Sequence, residues 1–176
     1  MKALILSLLF TISAAHAADV QLVKVYKSAR KLELIGANNK VIKTYKVMLG
    51  RNPIGHKAFE GDNKTPEGTY TLDEKNPNSN FYKSLHISYP NFKDKLKAKS
   101  RGKSPGGDIM LHGMPNDFRD MMDFVTSVGL ADLGDDLIRS GLLGYDWTNG
   151  CIAVTDSEIE EIYSMINVPT KITIFP

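Results

Sequence analysis

Residues 146–158 read Asp146-Trp147-Thr148-Asn149-Gly150-Cys151-Ile152-Ala153-Val154-Thr155-Asp156-Ser157-Glu158. The apolar run Ile152 to Val154 has the length of a short buried strand, and Thr155 to Glu158 is a capping box that opens a helix. Ile159, Ile162, Tyr163 and Ile166 follow at helical spacing, which carries that helix to about Ile166. A strand running at once into a helix marks a mixed α and β chain, and it sets Cys151 on a rigid turn between the two. Gly150 beside it lets the backbone come close to a ligand or take a conformation that other residues resist.

Cys151 is the only cysteine among 176 residues. Two readings are open: a small buried hydrophobe, which free cysteines commonly are, or a nucleophile. One cysteine excludes an internal disulfide and a dithiol redox pair. A thiol at its ordinary pKa is only a few per cent thiolate near neutrality, so a nucleophilic role needs a base. His112 stands at the end of the apolar run Asp108 to Leu111, with Gly113 allowing the chain to turn, the setting in which sites are often built. His56 reads as a surface residue of a polar loop, and His86 as a packed or hydrogen-bonded strand residue. Zinc wants three or four ligands at recognisable spacings, and one Cys with no close His pair does not supply them, so no metal is expected.

Outward from this centre, Met1 and Lys2 precede an apolar run from Ala3 to Ile12, and Ala15-His16-Ala17 has the small-x-small form of a signal-peptidase site. Residues 1–17 are therefore expected to be a secretory leader and 18–176 one domain with its own core. The apolar run is short for a membrane span, and no later stretch is longer. Losing Lys2 with the leader takes the formal net charge from +2 to +1, so no strong electrostatic attraction to nucleic acid or an anionic membrane is implied.

Val20 to Tyr26, Lys31 to Ile35 and Lys40 to Leu49 alternate as an antiparallel meander. Gly50 to Gly68 is a long polar loop, Gly68 to Leu72 and Leu85 to Tyr89 are further strands joined through polar Asn76 to Asn80, and Asn91 to Gly107 is a basic, solvated loop. The other reading of that basic stretch is contact with an anionic polymer surface, and it lacks the interleaved aromatics that single-stranded nucleic acid needs. Asn116 to Val128 and Ala131 to Leu143 are two helices, the first capped by Asn116 and sending Phe118, Met121, Met122, Val125 and Val128 to the core. Lys171 to Phe175 is the last strand.

These blocks together resemble the catalytic domain of the L,D-transpeptidases, the YkuD family. The resemblance rests on Leu111-His112-Gly113 and Asn149-Gly150-Cys151-Ile152, with support from Leu49 to Lys57, Glu60 to Tyr70 and Leu85 to Asn91. It implies a sandwich-like, mainly β domain with added helices (α+β), the helical insertion lying between the histidine and the cysteine. By the same resemblance Cys151 is the nucleophile, His112 the general base and acid, and Gly150, Asn149 and Gly113 the oxyanion and positioning residues. Trp147 and Thr148 are candidate substrate contacts. No cofactor is implied. The implied substrates are peptidoglycan stem peptides outside the inner membrane. The acceptor is a second stem, a lipoprotein lysine, or water, which would make the protein an L,D-carboxypeptidase or amidase; a non-catalytic peptidoglycan-binding protein is the alternative from another class. Two departures stand out: many members carry Arg where this chain has Ala153, and Ser or Thr where it has Asn149.

Overall fold

The computed structural model describes residues 19–129 and 145–176. β1 (Leu22–Tyr26), β2 (Lys31–Ile35) and β3 (Val41–Lys46) form the expected antiparallel meander, with Val23 opposite Leu34 and Val25 opposite Leu32. Those four side chains alternate along their strands and are completely buried, so a one-residue slip in register would expose all of them.

β4 (Gly68–Ser79) and β5 (Tyr82–Ile87) make a longer hairpin than the side chains suggest. Asn76 to Ser79, expected as a connecting loop, continues the ladder, because backbone pairing beyond the edge of a core needs no apolar side chains. β6 (Met110–His112), β7 (Ile152–Ala153) and β8 (Thr170–Phe175) complete one eight-stranded sheet in the order β3-β2-β1-β8-β4-β5-β6-β7. The β1–β8 and β6–β7 pairs are parallel and the others antiparallel.

The two edges of this sheet meet. Met48, just past β3, exchanges backbone hydrogen bonds with Ala153 of β7 (2.9 and 2.8 Å), and Arg51 N–H donates to the Thr148 carbonyl at 3.0 Å. One sheet folded back on itself thus supplies both layers of the sandwich-like α+β domain. Its interior holds Leu32, Leu34, Leu49, Leu72, Leu85, Ile87, Leu111, Ile152 and Ile172, all with essentially no exposure. Each such side chain is worth about 1.5–3 kcal/mol of burial before entropy is counted.

Among the described residues, three α-helices cover the sheet. The helix after the capping box, α3 (Asp156–Met165), forms as expected: Thr155 Oγ1 accepts from Glu158 N–H, Glu158 Oε2 accepts from Thr155 N–H, and Ile159 and Ile162 are buried. The basic stretch is not a plain loop but contains α1 (Phe92–Lys99), started by a reciprocal cap between Asn91 and Asp94. Only Asp94 and Ala98 face inward, too few positions for an apolar period to show in the sequence.

The helix α2 (Asn116–Ser127) is where expected, but Asn116 is not its cap. Its Oδ1 accepts from Tyr82 N–H and its Nδ2 donates to the Ser79 carbonyl, which ties α2 to the hairpin tip. Nor does the whole stripe of α2 enter the core, since Met121 and Val128 are exposed; Phe118 packs on Met48, Met114 and Ala153, and the Val125 side chain lies outside what is described. The expected helix at 131–143 and the leader at 1–17 lie outside the described residues. No helix of the described residues is long and apolar enough to cross a membrane.

Candidate active site

β6 and β7 run parallel with Leu111 opposite Ile152 and His112 opposite Ala153, so residues 39 positions apart in sequence become neighbours. Cys151 immediately precedes β7, not a strand-to-helix turn as its sequence neighbours imply. Its Sγ accepts from Met110 N–H at 3.4 Å and lies 3.5 Å from the Asp108 carbonyl. Cys151 and His112 both line one cavity of about 270 Å³, together with Phe81, Ser84, Asp108 and Met110.

The turn before the sulfur is fixed from inside. Gly150 has φ +135°, and a Cβ added there would lie 2.7 Å from the Lys64 carbonyl oxygen, so only glycine fits. Thr148 is buried; its Oγ1 accepts from Gly150 N–H at 3.1 Å and donates to the Cys151 carbonyl at 2.8 Å. Thr148 therefore braces the backbone of Cys151 through its own hydroxyl, and the Gly150 N–H is consumed within the turn. Asn149 is exposed and lines a second cavity, of about 390 Å³, that also reaches Cys151.

His112 is 2% exposed. Its Nδ1 lies 2.6 Å from the Gly113 carbonyl oxygen, which can only accept, so Nδ1 carries the proton and Nε2 keeps its lone pair. Phe81 packs on the ring at 4.4 Å between centroids and Trp147 meets it edge-on at 5.7 Å. Burial pushes the imidazole pKa down to about 4, against the favourable Gly113 carbonyl. Burial likewise pushes the Cys151 thiol up, opposed by Met110 N–H and the Lys57 ammonium and reinforced by Asp108. Both shifts favour the uncharged forms, a thiol and a neutral imidazole lining the same cavity, over a standing ion pair.

Gly113 is needed for close packing: an added Cβ would come 2.5 Å from Asp156 Oδ1 and 2.9 Å from Ile159 Cγ2. Asp156 Oδ1 in turn accepts from Met114 N–H at 2.7 Å, holding the turn after His112. Trp147 donates its Nε1–H to Met48 Sδ at 3.2 Å and walls the imidazole. Its neighbour Asp146 accepts from Leu49 N–H and from the Arg30 guanidinium, which anchors the cysteine-bearing stretch to the β1–β2 turn.

The loop Gly50 to Gly68 forms a wall of the second cavity through Lys57, Glu60, Gly61 and Asn63. Asp62 holds it by accepting from Ala58, Phe59 and Lys64 N–H and from Lys57 Nζ. Gly106 to Ile109 form the opposite wall. His56 is not a free surface residue: Nδ1 accepts from Glu67 N–H at 3.0 Å, and Nε2 is 3.1 Å from Asp94 Oδ1. His86, in β5, pairs with Asp73 at 2.6 Å and is only partly buried. Of the three histidines among the described residues, His112 alone shares a cavity with the cysteine. Phe81, the Asp146–Arg30 anchor and Lys57 were missed in the sequence; a lone aromatic in the polar tip Asn78-Ser79-Asn80-Phe81 was the one available signal.

The family model described as L,D-transpeptidase catalytic domain, YkuD, matches residues 21–174. The Escherichia coli (strain K12) protein named "Putative L,D-transpeptidase YafK" is 29% identical over 96 residues, 52% of this chain and 37% of that protein. Among solved structures, the helical cell shape determining protein Pgp2 (K307A mutant) of Campylobacter jejuni has TM-score 0.59 and 25% identity, covering 89% of this chain and 47% of that one. Bd1075 of Bdellovibrio bacteriovorus has TM-score 0.55 and 27% identity, covering 93% and 50%. The chain thus spans about half of these structures and little more than a third of the curated relative.

Proposed function

The chain belongs to the L,D-transpeptidase catalytic domain family, and on that premise we propose that it is a cysteine acyltransferase of peptidoglycan, working outside the inner membrane after removal of its leader. The observation that carries this reading is the shared cavity of Cys151 and His112, with Nδ1 occupied by Gly113 and Nε2 left as the base.

Sγ attacks the carbonyl at the L-centre of a diaminopimelate-type residue while Nε2 takes the thiol proton. The developing oxyanion is stabilised by backbone N–H donors around Asn149 and Cys151, with the Cys151 N–H as the candidate, because Gly150 N–H is already engaged. Collapse returns the proton to the departing nitrogen, releases the terminal D-amino acid and leaves a thioester. An amine from a second stem, or from a lipoprotein lysine, then attacks the thioester, gives its proton to Nε2 and regenerates the thiol. Neither step needs a metal or cofactor.

A second reading, with water as the acceptor, draws support from Ala153. That position is completely buried against Met48, Met114 and Trp147, so the family arginine associated with substrate has no counterpart there. Incubation with disaccharide tetrapeptide followed by mass spectrometry separates the readings. A cross-linked dimer lacking D-Ala supports transfer, and tripeptide alone supports hydrolysis. Neither product, with a Cys151 thiol inert to alkylation, overturns both in favour of a non-catalytic peptidoglycan-binding protein.

A further inference from the structure

The helix α1 and the turn after it hold six cations, Lys93, Lys95, Lys97, Lys99, Arg101 and Lys103, in a chain whose formal net charge is only +2. The single acid among them, Asp94, is turned inward. Its Oδ2 accepts from Tyr70 Oη and Asn91 N–H, and its Oδ1 meets His56, so its charge is spent inside the fold. All six cations are exposed.

With Asp94 and Ala98 buried, helical periodicity puts Phe92, Leu96 and Lys99 on the outward side, with Lys93 and Lys95 on its flanks. Phe92 is 74% exposed and Leu96 51%. Two large apolar side chains one turn apart, each beside lysines, are costly to leave in water. The same combination is favourable at a boundary between an apolar phase and a layer of negative charge. Phe92 and Phe175 also line one groove of about 930 Å³, which extends the exposed apolar surface toward the end of β8.

We propose that this face of α1 docks on a lipid bilayer bearing anionic headgroups, Phe92 and Leu96 entering the interface and the lysines meeting the phosphates. Charge complementarity and the apolar pair together select this partner, because a carboxylated polymer would satisfy the lysines but not the two apolar side chains. The reciprocal Asn91–Asp94 cap builds the helix before contact, so no folding is required at the surface. The chain leaving α1 runs through Lys103 directly into Gly106 to Asp108, a wall of the cavity at Cys151, so docking would set the distance and tilt of that cavity relative to the membrane. The inference is independent of the chemistry assigned to Cys151.

The test is co-sedimentation with vesicles of phosphatidylethanolamine and phosphatidylglycerol, and with phosphatidylcholine vesicles as the neutral comparison. Both the full chain and a chain starting at Ala18 are used, so that the apolar leader cannot account for binding. The chain from Ala18 should bind the anionic vesicles and be released by about 0.5 M salt. Phe92→Ser with Leu96→Ser, and separately Lys95→Gln with Lys99→Gln, should each weaken binding roughly tenfold while peptide turnover and circular dichroism stay unchanged. Equal binding to neutral vesicles, no vesicle binding, undiminished binding by both double variants, or binding to peptidoglycan sacculi alone would each overturn the proposal.

Discussion

Two histidines in this protein sit in polar surroundings of opposite kind. His56 gives both ring nitrogens to protein groups, Glu67 N–H and the Asp94 carboxylate, and belongs to a chain of partners running from Lys27 through Glu67 to Asp94 and Tyr70. His112 gives one nitrogen to the Gly113 carbonyl, and its other nitrogen belongs to a ring lining the cavity that holds a partly exposed sulfur. The first arrangement fixes a loop; the second leaves hydrogen-bonding capacity for a reaction. Chemistry is to be sought where a polar group is held firmly on one side and left open on the other, a property that residue type alone does not reveal.

The hardest test of this contrast is Cys151→Ala, which should lower product formation by about 10⁴ or more while the melting temperature barely moves, because the sulfur makes only two weak contacts. Residual turnover near wild type would remove the chemical side of the comparison. Next in size, His112→Gln should cost about 10³ in turnover and slow alkylation of Cys151 by iodoacetamide. The wild-type acid limb of activity should lie near pH 4, where His112 gains its proton, and not near the ordinary histidine value.

Gly150→Ala should destabilise the fold by about 3 kcal/mol, read by denaturant unfolding, since it forces alanine to φ +135° against the Lys64 carbonyl. The smallest effect is expected from His56→Gln: a loss of about 1–2 kcal/mol with the alkylation rate of Cys151 unchanged. If alkylation slows as it does in His112→Gln, the two histidines are not separable and the contrast fails.

Acid titration sharpens the same comparison. Both histidines have folded pKa values below their unfolded ones, through burial, opposed at His56 by Asp94 and at His112 by the Gly113 carbonyl. Between the folded and unfolded values the unfolded chain binds more protons, so this stability is complete above about pH 6.5 and lost as pH falls. For His112 the window runs down to about pH 4 and is worth at most about 3 kcal/mol. His112→Gln should flatten most of that slope in urea midpoints, and His56→Gln a smaller share.

Much of this was legible in particular residues. The capping box at Thr155 and Glu158 predicts α3 because its bonds are local, and alternation in Val23 to Val25 and Leu32 to Leu34 predicts the meander because one face is buried. The proposed nucleophile stood out as the only cysteine. The α1 helix was hidden because its inward positions are an acid and an alanine, which leave no apolar signature. Asn116 looked like a cap and proved a tie to the hairpin, since a side chain that can cap can equally reach a distant backbone. Thr148 looked available for substrate because a hydroxyl beside a nucleophile carries no mark of having been used within its own turn.

By itself the sequence determined the local elements and singled out the candidate thiol, because helix caps, strand alternation and a solitary cysteine are read over a few residues. Only the tertiary structure decided that β6 and β7 lie parallel, that His112 and not His56 or His86 shares a cavity with Cys151, and which nitrogen of His112 the Gly113 carbonyl takes. Those outcomes depend on strand order and on the partners left over after the backbone has paired, and both are settled by long-range packing.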